Sequence, residues 1–195
     1  YDSTREGLRL FGQGRYVQAL AIYEKHRKAQ PRQPVAALNT GTARLFLWKL
    51  EQALVDLKEA QQLLGSQEWE FRGMLFENLA LTQALLGRSE DARRTLSELA
   101  EGKADPAQVG LIEAILMARA GDAAGAHAKL GSFEVKQVGG SIGAMSRAVD
   151  GFCIETLTGQ RRHIDRVALF GETGPDELSK AWPELVAYVE RAPAW

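Results

Sequence analysis

Several kinds of protein are excluded by what this sequence lacks. Its 195 residues include a single cysteine, Cys153, so an internal disulfide framework is impossible. The formal net charge is -1, which gives no general attraction for polyanions such as nucleic acids. No apolar run reaches the length that a membrane-spanning helix needs. We therefore expect neither a nucleic-acid partner nor insertion into a membrane.

Targeting signals are scarce as well. No secretory signal peptide is visible, and the chain begins at Tyr1 rather than at a methionine. We expect a trimmed N-terminus, and we favour a cytoplasmic location while leaving the compartment open.

Residue patterns for metal binding or catalysis are weak. The three histidines, His26, His127 and His163, lie on different predicted helices, and none has a His or Cys one helical turn away. Cys153 and His163 flank a predicted turn, which allows a thiol and its base to meet, but nothing signals an activated thiol or an oxyanion hole. A buried free cysteine is the favoured interpretation. We expect no catalytic residue, no metal and no cofactor.

Helical periodicity is the strongest positive signal, and residues 35–64 show it best. They indicate two amphipathic helices joined by a tight turn, with apolar residues recurring at steps of three and four. Gly41, Ala53 and Ala60 are small, which allows the two helices to cross closely. Such a hairpin cannot bury both of its faces alone, so neighbouring helices must cover it.

The same hairpin pattern recurs along the chain. The alanine that follows the turn is found at Ala19, Ala53, Ala92 and Ala126, at spacings of 34, 39 and 34 residues. A helix–turn–helix period of 34 residues is typical of the tetratricopeptide repeat. Residues 1–131 resemble that family, through Gly14, Tyr16, Ala19, Tyr23 and Pro31; Asn39, Gly41, Ala53 and Ala60; Asn78, Leu79, Ala80, Gly87 and Ala92; and Ala114, Gly121 and Ala126.

The resemblance implies an all-α fold, a tetratricopeptide-type superhelix of about four helix–turn–helix repeats. Two positions depart from the family pattern. Trp48 replaces the turn glycine of the second repeat, and His26 replaces a small residue late in the first. We expect unusual packing at both places.

Capping residues and prolines predict several helix boundaries. Asp105 and Pro106 predict an N-cap followed by a first-turn proline. The five extra residues of the 39-residue spacing fall near residues 67–71, and a helix extended at its start, over residues 67–86, is the simplest explanation.

Beyond residue 131 the repeat register fails. Residues 132–195 predict a degenerate repeat and C-terminal capping helices, packed on the array of residues 1–131. Residues 132–140 indicate a loop, 141–158 a helix, and 166–170 a helix or a strand. The last helix, over residues 175–191, should kink or break at Pro183.

Partners of the family usually bind in the concave groove that the first helices of the repeats line. The resemblance assigns to this groove Leu38, Asn39, Thr42, Phe46, Met74, Asn78, Leu81, Leu111 and Ile115, with Leu8 and Phe11 at the matching positions of the first repeat. The family's carboxylate clamp needs inward-pointing cations, but Val35, Leu38, Met74 and Glu77 replace them. The lining is mostly apolar, which suits an amphipathic helix. Alternatively, the same residues form the core between helices.

These patterns predict a non-enzymatic scaffold or adaptor, of a chaperone-like kind, that binds a helical or extended segment of a partner protein. Two alternatives stay open: a sensory or regulatory module of a larger protein, and a self-associating assembly module. The last helix either caps the array or occupies its groove.

Overall fold

The computed structural model describes residues 2–99, 104–132 and 140–191. Within those ranges the protein is all-α, with twelve helices and no strand. The helices are α1 (Asp2–Gly12), α2 (Tyr16–Ala29), α3 (Pro34–Phe46), α4 (Leu50–Leu64), α5 (Arg72–Leu85), α6 (Ser89–Ser97), α7 (Pro106–Arg119), α8 (Ala123–Ser132), α9 (Gly140–Thr158), α10 (Arg166–Phe170), α11 (Leu178–Ala181) and α12 (Pro183–Arg191).

The first eight helices form four successive antiparallel-type hairpins. Helices α1 and α2, α3 and α4, α5 and α6, and α7 and α8 pack closely in pairs, and α2, α4 and α8 each contact the helix that follows. The odd-numbered helices also contact one another in sequence, from α3 to α5, α7 and α9. These helices therefore form one layer, which is the layer that carries the predicted groove residues.

The repeated positions have the local geometry that their residue types require. Gly14, Gly87 and Gly121 follow the first helices of their pairs with φ of 74°, 77° and 86°, a region that glycine enters without steric cost. Ala53 and Ala92 are completely buried. The sequence correctly located the turns of the hairpins.

The start of α5 differs from the prediction. The helix expected over residues 67–86 begins only at Arg72, and the extra residues form a loop. Gly65 has φ of 57°, and Arg72 donates a hydrogen bond from Nη1 to its carbonyl oxygen at 3.4 Å. Trp69 and Phe71 pack edge to face with their ring centroids 5.3 Å apart. Burial of these two rings against α4 and α5 favours the loop over a longer helix.

The cap predicted at Asp105 is confirmed, and a second one explains α10. Asp105 accepts a hydrogen bond from the backbone N–H of Ala107 at 2.9 Å, with Pro106 in the first turn. Asp165 accepts in the same way from Ala168 at 2.9 Å. This cap favours a helix over the strand alternative for residues 166–170.

The C-terminal helices are interrupted where Pro183 predicts it. Helix α11 ends at Ala181 and α12 begins at Pro183, with Trp182 between them at φ of -146°. The loop predicted over residues 132–140 lies mostly at 133–139, outside the described residues. The apolar side chains of α11 and α12 belong to the same core cluster as residues of α3, α5, α7 and α9.

Candidate partner-binding surface

The predicted groove residues lie on α3, α5 and α7. On α3, Asn39, Thr42 and Phe46 follow one another at steps of three and four, so they share a face. On α5, Met74 and Asn78 share a face for the same reason. Two direct contacts described below place these faces side by side.

A row of hydrogen-bonded polar side chains crosses the three helices. Asn78 donates from Nδ2 to Oγ1 of Thr42 at 2.9 Å, and Gln108 donates from Nε2 to Oδ1 of Asn78 at 3.0 Å. All three side chains are buried. A buried amide must be hydrogen-bonded to avoid a desolvation penalty, so this row favours one register of α3, α5 and α7.

The four large aliphatic residues of the predicted groove are buried in the core. Leu38, Leu81, Leu111 and Ile115 are at most 1% exposed. Leu81, Leu111 and Ile115 share a core cluster with α9 and the C-terminal helices, and Leu38 packs in the cluster of α4 and α5. In this conformation they are not accessible to a partner. Periodicity identifies an apolar face correctly, but it does not show whether a distant part of the chain covers that face.

The accessible part of the surface lies at the first three helix pairs. Met74 is 42% exposed, while Asn39 and Phe46 are half-buried. Phe46 belongs to an aromatic group with Phe11 and Tyr16, in which its ring centroid lies 5.5 Å from each of the other two.

Leu8 extends this accessible surface on α1. It is 54% exposed and lies three residues before Phe11, so both side chains are on the same face of the helix. Leu8, Asn39, Phe46 and Met74, with the rings of Phe11 and Tyr16, are called the inner surface below.

Helix α9 reaches the edge of the inner surface. The Tyr16 hydroxyl and Ser141 Oγ are 2.7 Å apart, although 125 residues separate them in sequence. Helix α9 also packs on α7 and α8, so it connects the last helix pair with the first. Sequence reasoning assigned Tyr16 to the repeat pattern only, and no local signal indicated its contact with Ser141.

The electrostatic character of the neighbouring α5 face is set by Glu77. This carboxylate is 5% exposed and accepts a hydrogen bond from the backbone N–H of Asp105 at 2.5 Å. Burial raises the pKa of Glu77, and the nearby Asp105 carboxylate acts in the same direction.

The thiol considered as a nucleophile is inaccessible. Cys153 is completely buried, and burial, with the negative charge of Asp150 and Asp122, raises its pKa to about 11. The thiolate is therefore disfavoured at neutral pH. His163 is exposed, so the two side chains face different environments.

The other two histidines lie on α8 and α2. His127 Nδ1 lies 2.6 Å from Oδ1 of Asp150, whose second oxygen accepts from Arg162 at 3.2 Å. The Nδ1 atom of His26 is buried without a hydrogen-bond partner among the described residues.

Within residues 2–99, 104–132 and 140–191, no group of three or more His, Cys, Asp or Glu side chains is arranged to hold a metal ion. No helix in the same ranges is long and apolar enough to cross a membrane.

No family model, curated protein or solved structure matches this chain. What the inner surface can bind is therefore inferred from its own side chains.

Proposed function

We propose that this protein is a tetratricopeptide-like superhelix whose inner surface binds an apolar segment of a partner protein, without catalysing a reaction. The observation that carries the proposal is the accessible apolar strip on the odd-numbered helices. Leu8 on α1 and Met74 on α5 are exposed, and the ring of Phe46 on α3 is half-buried. Accessible apolar side chains are what the apolar face of an amphipathic helix packs against.

The chemistry of the strip favours the apolar face of an amphipathic helix as its ligand. Glu77 is on α5, within the layer, and is negative when ionised, so an acidic terminus would be repelled there. Met74 is flexible and adapts to the shape of an apolar partner. Phe46 offers a ring that is already held by Phe11 and Tyr16, so little conformational entropy is lost on binding.

In this proposal, only some of the residues predicted for the groove contact the partner. Leu38, Leu81, Leu111 and Ile115 stabilise the helix layer, whereas Phe46 and Met74, with Leu8 of the first repeat, provide the contact area. A large apolar anchor that a partner buries is worth about 2 kcal/mol or more on truncation.

Site-specific photo-crosslinking tests the proposal. The photoreactive residue p-benzoylphenylalanine is incorporated in place of Leu8, of Met74 or of Val55, and crosslinked species are identified by mass spectrometry from cells that express each variant. Val55 is the matched control because it is also an exposed aliphatic side chain, 64% exposed, but lies on α4. We expect one partner at both Leu8 and Met74, and no such partner at Val55.

A binding measurement with the identified partner completes the test. Leu8→Asp and Met74→Asp should each weaken binding by about tenfold or more, which corresponds to the loss of about 1.4 kcal/mol. Val55→Asp should bind as the wild type does. Equal crosslinking at all three positions, or unchanged affinity in both inner-surface variants with helicity intact, would place the interface elsewhere. A crosslink to a second copy of the chain would favour self-association instead.

A further inference from the structure

Two residues have an unusual backbone conformation, and they lie at one contact. Trp48 has φ of 60° and Asp176 has φ of 39°, and among the described residues no other non-glycine residue has a positive φ. A bulky side chain in this region is sterically strained, so the conformation persists only if the surrounding contacts compensate for it. The backbone of Glu177, next to Asp176, donates a hydrogen bond to the carbonyl oxygen of Trp48 at 3.3 Å.

Trp48 occupies a turn position that is glycine in the other three helix pairs. Gly14, Gly87 and Gly121 hold that position with similar φ values. The hairpin itself therefore does not need a tryptophan, and a glycine would relieve the strain. The side chain must be explained by what it contacts outside its own hairpin.

Those contacts are with the C-terminal part of the chain. The Trp48 indole is 2% exposed, packs edge to face on Phe170 with centroids 5.6 Å apart, and donates from Nε1 to the carbonyl oxygen of Leu169 at 3.2 Å. The carboxylate of Glu177 accepts a hydrogen bond from the backbone N–H of Glu51, in the first turn of α4, at 2.7 Å. The turn between α3 and α4 is therefore held by three contacts: aromatic packing, a hydrogen bond from the indole, and a hydrogen bond at the start of α4.

A second attachment joins the same C-terminal segment to the fourth helix pair. Arg119, at the end of α7, donates from Nη2 to the carbonyl oxygen of Ala181 at 2.9 Å and lies over the ring of Trp182 at 5.0 Å. It also donates from Nη1 to the carbonyl oxygen of Leu85 at 3.4 Å, at the end of α5. Gly87 leaves room for this side chain, because a Cβ there would lie 2.5 Å from Nη2 of Arg119.

We propose that residues 166–182 form an intramolecular brace that locks the curvature of the helical array, with Trp48 as its releasable attachment. In a repeat array each unit contacts only its neighbours, and the curvature follows from a small rotation between units. A segment attached to the second and fourth pairs, and touching the end of α5 in the third through Arg119, removes that freedom. Release at Trp48 lets the array open without disrupting the hairpins, and it changes the spacing of the inner surface.

The substitution Trp48→Gly tests the brace directly. It gives the second turn the residue of the other three turns and removes the contacts with Phe170 and Leu169. In hydrogen exchange followed by mass spectrometry, we expect the exchange rate of residues 166–182 to rise by roughly tenfold or more, while α1 to α4 keep their protection within about twofold. Phe170→Ala removes the ring that packs on Trp48 and leaves the turn unchanged. It therefore tests the brace if Trp48→Gly fails to fold.

Distance measurements test whether the brace sets the curvature. Spin labels are attached to cysteines that replace Val17 on α2 and Ala128 on α8, both exposed, while Cys153 is completely buried and stays unlabelled. Pulsed electron paramagnetic resonance should give a longer or broader distribution of the distance between the two labels in Trp48→Gly and in Phe170→Ala than in the labelled parent protein. This distance measurement needs no partner, so its result does not depend on whether the proposed function is correct.

Two controls separate release from general destabilisation. Trp69→Ala removes a half-buried tryptophan that lies outside the brace contacts, and Leu64→Ala leaves a cavity in the core of α4. Both should leave the distance distribution and the relative exchange of residues 166–182 unchanged. The brace is refuted if Trp48→Gly and Phe170→Ala raise exchange equally throughout α1 to α8, if residues 166–182 keep their protection in both, or if the segment is released while the distance stays the same.

Discussion

At the residue scale, the buried carboxylates of Asp56 and Glu77 differ in the neighbours that offset the free-energy cost of a buried charge. Asp56 is 1% exposed and lies between Nη1 of Arg27 at 2.5 Å and Nη1 of Arg44 at 2.7 Å, so it joins α2, α3 and α4 by paired charges. Removing one partner of such a buried pair costs about 3–5 kcal/mol. Glu77 is almost as buried, and within residues 2–99, 104–132 and 140–191 its hydrogen-bond partner is the N–H of Asp105.

The substitution Glu77→Gln should therefore stabilise the protein at neutral pH. Because burial raises the pKa of Glu77 in the folded state, the native carboxyl keeps its proton at pH values where the unfolded one has lost it. The wild type loses stability as the pH rises from the ordinary glutamate range through the folded pKa, by about 1.4 kcal/mol for each unit between the two pKa values. Glutamine has no such proton to lose.

Urea unfolding at a series of pH values measures this effect. The stability difference between Glu77→Gln and the wild type should be smallest at low pH, should increase through that window and should then stay constant. Glu68→Gln, at an exposed position of the loop before α5, should show no comparable change. A difference that shrinks with rising pH would contradict the desolvated state of Glu77.

At the element scale, small residues allow the helices of each pair to approach. Gly41 on α3 faces α4 so closely that an added Cβ would lie 2.8 Å from Cγ of Leu57 and 3.1 Å from Cβ of Asp56. Leu57 is completely buried, so it has little room to move. The hairpin of α3 and α4 therefore depends on the missing side chain.

The substitution Gly41→Ala should lower the free energy of unfolding by about 1–3 kcal/mol, since overpacking outweighs the better helix propensity of alanine. Gly12→Ala is the matched control, because nothing lies within 4 Å of an added Cβ there and Gly12 is also helical. That control should be neutral or stabilising by up to about 1 kcal/mol. Equal urea midpoints for the two variants would argue against the close crossing.

At the scale of the whole molecule, the C-terminal helices complete a core that the array alone leaves open. Leu178, Trp182, Leu185 and Val189 are at most 3% exposed and belong to the cluster that contains Leu81 and other residues of α3, α5 and α7. The position of α11 and α12 agrees with a role in covering apolar residues of α3, α5 and α7.

Deletion of residues 174–195 should therefore destabilise the protein. Each fully buried large apolar side chain contributes about 1.5–3 kcal/mol, so the loss of several should lower the urea midpoint and expose surface that binds the dye ANS. Size-exclusion chromatography should show aggregation at high concentration. A truncated protein with a wild-type midpoint and tighter partner binding would instead identify the last helices as occupants of the groove.

The sequence by itself determined the features that depend on neighbours within one or two turns of the chain. Periodic apolar residues located the helix pairs, Gly14, Gly87 and Gly121 marked three of the turns, and Pro183 predicted the break between α11 and α12. Local sterics, capping and hydrogen bonding dictate such features, so a short stretch of residues is enough to predict them.

Only the tertiary structure decided which apolar faces are covered and which are accessible. Leu81 and Ile115 have the same helical pattern as Phe46 and Met74, but α9 and the C-terminal helices lie in the cluster that buries the first two. Trp48 was recognisable as an exception to the turn pattern, whereas its partners, Leu169 and Phe170, are more than a hundred residues away. Burial arises from contacts between distant parts of the chain, and a local pattern contains no information about them.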